Sequence, residues 1–222
     1  MLRELERRRL AASNGWRFTA KGPAPTDRVR GWPSLGEVHA IVDGEVEATP
    51  FWAFDVKEDG RLPMTVRRTT VYVLPLPNPV PYVSAIFANL LPVNADEQVA
   101  FRELVGSITL GGTWRGEPTP QAEAPAPAHG AYAADDGFAR ELLTDEVLRA
   151  CRELPGARRP YFVDPLRPDG LGSWYVDGAQ LVAVRERALG SASGRRLVDE
   201  ATALAGLLHT FPRAVLARSG RP

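Results

Sequence analysis

Three of the five Asp-Gly dipeptides, Asp43-Gly44, Asp59-Gly60 and Asp177-Gly178, lie between runs rich in apolar and β-branched residues that read as strands. Glycine accepts the positive φ angles of a tight hairpin at no steric cost and aspartate tolerates them, so each pair predicts a reversal of the chain. Connections so short cannot cross over, and the strands they join must be antiparallel. The first two pairs predict a three-stranded meander over 37–42, 45–56 and 65–74. The third predicts a hairpin between 174–176 and 180–185.

What precedes the meander reads as helix, glycine, tryptophan, strand. Residues 2–14 place Leu2, Leu5 and Ala12 on one helical face, Glu4 and Arg8 one turn apart, and Gly15 where a left-handed stop belongs. Residues 16–21 alternate as a strand, and 22–36 form a loop with Pro23, Pro25 and Pro33. After the meander, Pro75, Pro77, Pro79 and Pro81 predict an edge or irregular extended run, because proline donates nothing to a ladder. A further strand near 82–87, a helix over 96–104 and a strand over 107–110 close the first half.

Residues 117–134 combine Pro118, Pro120, Pro125 and Pro127 with alanines and glutamates and offer almost nothing to a core, which predicts a solvated linker. It separates a β-rich N-terminal half, 1–116, from a C-terminal half, 135–222, although one domain with a long loop fits the same pattern. Asp135 and Asp136 suit a helix N-terminus ahead of Phe138, Leu142 and Leu143, and Thr144 caps a helix with Val147, Leu148, Cys151 and Leu154 on one face. A short strand is expected over 161–163. The last helix, about 194–210, repeats Leu197, Ala201, Leu204 and Leu208 at helical spacing before Phe211 and Pro212 end it. The expected fold class is therefore α+β: an antiparallel β-meander sheet with packed helices, an N-terminal helix and a C-terminal helix-hairpin-helix unit.

The chemistry-bearing residues have structural readings. Lys plus Arg and Asp plus Glu balance at 27 each, so no overall field draws the chain to nucleic acid or an anionic membrane. The glycine pairs near Gly111 and Gly190 lack the lysine and hydroxyl of a phosphate loop, and no cofactor is implied. His39, His129 and His209 are too scattered for a zinc site, and His209 suits a helix C-terminus. The single cysteine, Cys151, excludes an intramolecular disulfide and falls on an apolar helix face. Arginine clusters at 7–9, Arg67 with Arg68, Arg158 with Arg159 and Arg195 with Arg196 read as solvated faces. Of the tryptophans, Trp32 and Trp114 fall in predicted loops and are the partner-binding candidates, with Arg67 and Arg68 beside them in that role. The charged start is followed by no apolar signal core, and no stretch approaches the ~20 apolar residues of a membrane span. A cytoplasmic protein is expected.

The stretch Gly15-Trp16-Arg17-Phe18 after a charged helix, the meander, Asp136 with Phe138-Ala139-Arg140-Glu141-Leu142-Leu143-Thr144, and Trp174-Tyr175-Val176-Asp177-Gly178 with Leu181 together resemble an uncharacterised family of actinobacterial proteins. The second half is also similar to a broader bacterial family of unknown function. These motifs mark packing positions, and the resemblance implies no active-site residue. In element order alone the chain also resembles small bacterial secretion chaperones. The expected function is a non-catalytic protein-binding or accessory module, with a protein partner or self-association. The alternatives are an enzyme whose site gathers residues distant in sequence, and a weak nucleic-acid binder acting through its arginine clusters.

Overall fold

The computed structural model describes residues 2–26, 37–59, 66–87, 129–133, 135–154, 170–186 and 194–217. The expected elements at 96–104, 107–110 and 161–163, the linker over 117–128, and both Trp32 and Trp114 lie outside the described residues. In chain order the elements are α1 (Leu2–Ser13), β1 (Arg17–Pro23), β2 (Glu37–Val46), β3 (Thr49–Asp59), β4 (Val66–Phe87), β5 (His129–Ala133), α2 (Asp136–Leu142), α3 (Asp145–Glu153), β6 (Gly170–Glu186), α4 (Gly194–Thr210) and α5 (Arg213–Leu216). The fold is α+β, with one antiparallel sheet in which β1, β2, β3 and β4 are successive neighbours and β4 pairs also with β5 and with β6.

The N-terminal unit forms for local reasons. Gly15 adopts φ 69°, the Trp16 N–H donates to the Ala11 carbonyl at 2.8 Å, and the Gly15 N–H reaches Ala12 at 3.4 Å. These are the paired bonds of a Schellman stop, which satisfy carbonyls that the end of α1 would otherwise orphan. Trp16 then folds over Gly44. A Cβ on Gly44 would collide with the indole, whose ring meets Phe51 edge-on at 5.0 Å while its Nε1 donates to the Glu45 carbonyl at 3.1 Å.

That use of Gly44 moves the first hairpin. β2 continues through Asp43-Gly44 to Val46, and the two-residue turn is Glu47-Ala48, at φ 48° and 59°. Both are side-chain-bearing residues in the left-handed region, a strain of roughly 1 kcal/mol or more apiece. In exchange Gly44 lies opposite Phe51 and leaves the room the indole fills. The second signal lies at a strand end as expected: β3 stops at Asp59, paired with Val66.

The proline run and the third Asp-Gly pair differ together from expectation. β4 runs unbroken through all four prolines as a 22-residue strand. β3 pairs with it as far as Val73 and β5 from Val83, so the prolines occupy a stretch with no partner on that side among the described strands. On the other side β6 follows β4, but its register jumps between Pro75, Val80 and Val83. Gly178, at φ 58°, pairs with Val80 inside that irregularity. The pair Asp177-Gly178 therefore does not reverse the chain. It lets one 17-residue strand bend past a bulged proline segment, and the expected helix-hairpin-helix becomes helix, long strand, helix.

The end of the expected linker is likewise structured, since residues 129–133 form β5 against the last residues of β4. Strands on both sides of the linker thus share one sheet. Their side chains share one core as well: Val42, Phe51, Leu74, Trp174, Val176 and Leu181 pack with Leu142 of α2, Val147 and Cys151 of α3, Leu204 of α4 and Val215 of α5. The opposite face carries a second cluster that includes Val38, Phe54, Val71, Tyr175 and Val182.

Candidate functional site

Alternation along a strand sends every second side chain to the same face. On the helix-covered face, Phe51 and Ala53 of β3 are followed in phase by Asp55, Leu181 and Ala183 of β6 by Arg185, and Tyr72 of β4 is preceded by Thr70. The register places Asp55 opposite Thr70 and Thr70 opposite Arg185. A polar row thus crosses three strands beneath the helices.

Two helices complete it. Arg7 of α1 donates from Nη2 to Asp55 Oδ1 at 2.7 Å and to Thr70 Oγ1 at 3.2 Å, and from Nη1 to the Ala40 carbonyl at 2.9 Å. The Thr70 hydroxyl donates to Asp55 Oδ1 at 2.8 Å. Glu200 of α4 faces the other end, with Oε1 3.0 Å from Arg185 Nε and Oε2 accepting from the Tyr72 hydroxyl at 2.6 Å. Ala40 holds φ 50° where β2 slips register against β3 between His39 and Val42, so a bulge in β2 supplies the carbonyl that Arg7 uses.

All six side chains are buried; Arg7, at 5% exposure, is the most accessible. Two arginines face two carboxylates, so the row is neutral in formal charge. Burying such ions costs several kcal/mol each in lost hydration, which their attraction and hydrogen bonds offset only while every partner stays in place. Burial and the adjacent Glu200 carboxylate raise the Tyr72 phenol well above the ordinary tyrosine value of about 10. Tyr72 therefore stays protonated and serves as a donor. What this arrangement does chemically is pin α1 and α4 to the sheet.

Of the sequence candidates, Arg67 and Arg68 lie in β4, opposite Glu58 and Lys57 of β3. Arg7 is a correction: it belongs to the buried row and not to a solvated face. Its neighbour Arg8 lies over the Phe18 ring at 5.9 Å. Asp135 accepts from the Phe138 N–H at 2.9 Å and Thr144 from that of Val147 at 3.4 Å, both as helix caps. Cys151 is fully buried in the core. His209 Nε2 lies 3.0 Å from Thr49 Oγ1, joining the end of α4 to β3. His129 begins β5. Among the described residues, no group of three or more His, Cys, Asp or Glu side chains is placed to hold a metal ion, and no helix is long and apolar enough to cross a membrane.

Sequence reasoning passed over Asp55, Thr70, Tyr72, Arg185 and Glu200. A signal was present in the phase of the charges. Asp55 and Arg185 continue apolar alternations, and Glu200 stands three residues after Leu197 and four before Leu204 on the apolar stripe of α4. Charges of both signs in inward phase announce a buried pair; which acid meets which base is a long-range matter.

No protein-family model matches the chain, and no curated protein matches it. Among solved structures, the crystal structure of the mycobacterial trehalose monomycolate transport factor A, TtfA, is similar to this chain, with a TM-score of 0.55 at 13% identity, covering 94% of this chain and 96% of that one. At that identity the likeness is one of fold.

Proposed function

We propose that this chain is a non-catalytic protein-binding or accessory factor of the cytoplasm, belonging to the actinobacterial family its Gly-Trp-Arg-Phe and Asp-to-Thr helix motifs resemble. The observation that carries the reading is the commitment of Arg7, Asp55, Tyr72, Arg185 and Glu200 to one another inside the core, where they hold helices on a sheet instead of facing a substrate. The fold likeness supports it, because it extends over nearly the whole of both chains and the neighbour is described as a transport factor. The decisive experiment is affinity capture of the tagged chain from its native host at several salt concentrations. A specific protein recovered in stoichiometric amount is the expected result. Recovery of none at any salt, together with turnover of a small molecule by the purified chain, overturns the reading.

A further inference from the structure

The attachment of α1 is unusual for a helix lying on a sheet. Of its residues 4–13, only Arg7 and Ala11 are buried; Leu5 is 45% exposed, and Leu10, half-buried, packs on the edge of the core beside Gly194 of α4. Apolar burial is thus narrow among these residues, and the polar attachment is one guanidinium in a socket of acceptors drawn from three strands: the Ala40 carbonyl of β2, Asp55 of β3 and Thr70 of β4. The socket is built independently of α1, since the β2 bulge and the Asp55–Thr70 pairing belong to the sheet.

Arg7 also leaves the socket incompletely used. It meets Asp55 through Oδ1, while Oδ2, buried, has no hydrogen-bond partner among the described residues. A guanidinium entering with its two parallel N–H groups toward the carboxylate would engage both oxygens, the stronger arrangement for this pair. α1 ends at the Gly15 stop, followed by Trp16 anchored on Gly44.

We propose that α1 is a releasable clasp and that the acceptor set beneath it is a guanidinium-binding site, occupied in cis by Arg7 and open in trans to an arginine on a helix of a protein partner. This rests on the accessory-factor reading and names the chemistry by which a partner is held. Opening exposes Asp55 without its cation, a cost that a partner's arginine removes on docking, so opening and binding are coupled.

Two measurements on the purified full chain test it. Hydrogen exchange of the wild type is expected to show α1 amides exchanging at least about tenfold faster than those of 71–74 in β4, by an opening smaller than global unfolding. Exchange of α1 only together with β4 overturns the proposal. In Arg7→Ala, millimolar methylguanidinium is expected to raise Tm saturably by a few degrees, with no such rise in the wild type, in Arg7→Ala/Asp55→Asn, or with methylammonium as the added cation. An equal response in all of these, or none in Arg7→Ala, overturns it. Should Arg7→Ala not fold, the exchange experiment decides alone. Neither measurement involves a partner, so their failure is distinct from a failed capture, which bears on the accessory role itself.

Discussion

α1 and α4 lie on the same face of the same sheet, and each inserts one charged side chain beneath itself, yet they are held by different means. α4 buries Leu197, Ala201, Leu204, Ala205 and Leu207 in a continuous stripe, with Glu200 set among them. Among its residues 4–13, α1 buries Ala11 and Arg7, with Leu10 half-buried against the core. Apolar burial is proportional to area and indifferent to direction, so α4 keeps most of its attachment if any one contact is lost. A buried ion pair depends on geometry and on both partners, so the ionic seat of α1 is lost with either one. The difference teaches that a helix with a narrow apolar face can still be seated on a sheet through one buried charged side chain.

The comparison breaks most visibly at its ionic end. Arg7→Ala leaves Asp55 buried without its cation and is expected to cost about 3–5 kcal/mol in urea unfolding, with α1 losing hydrogen-exchange protection first. Cost and protection changes no larger than those of a surface arginine would show that α1 is seated by something else. Leu204→Ala in α4 is expected to cost about 2–5 kcal/mol while leaving α4 docked, because the rest of its stripe remains. Selective fraying of α4 in that variant would erase the distinction between the two helices.

Tyr72→Phe removes the phenol that bonds Glu200 and is expected to cost about 1.5–3 kcal/mol near neutral pH, as for a hydrogen bond to a charged group. The sign of its pH dependence follows from the raised folded pKa. The phenol's contribution is fully present below about pH 10, where the unfolded tyrosine begins to ionise, and is lost as pH rises through the folded value. The gap between wild type and Tyr72→Phe should therefore narrow above about pH 10 in urea titrations; a constant gap would contradict it.

Gly44→Ala forces Trp16 off its seat and is expected to cost about 1–3 kcal/mol, with a red-shifted tryptophan emission as the indole meets water. Unchanged emission would mean that the indole is not anchored there. The smallest effect belongs to Arg17→Ala. Arg17 pairs with Asp43 across β1 and β2, but its side chain is 77% exposed, and the loss should stay below about 1 kcal/mol. Set beside Arg7, it shows that the same two chemical groups differ in consequence through burial alone.

Much of this fold is readable locally. The Gly15 stop, the Asp135 and Thr144 caps and the apolar stripe of α4 depend on residues within a turn or two of each other, and each lies where its pattern predicts. Two of the three Asp-Gly signals were outweighed by partners distant in sequence. Gly44 serves the indole of Trp16, 28 positions earlier, and Gly178 serves a bulge opposite Val80. A dipeptide reports the φ angles it can adopt and not which neighbour will need them.

The polar row shows the same boundary. The sequence by itself determined that the chain makes antiparallel strands and amphipathic helices, and it carried charges in inward phase at Asp55, Arg185 and Glu200. Only the tertiary structure decided that Arg7 meets Asp55 across 48 positions and that Tyr72 meets Glu200 across 128. Backbone angles, caps and periodicity are set over a few residues, whereas the partner of a buried charge is set by which elements the sheet brings face to face.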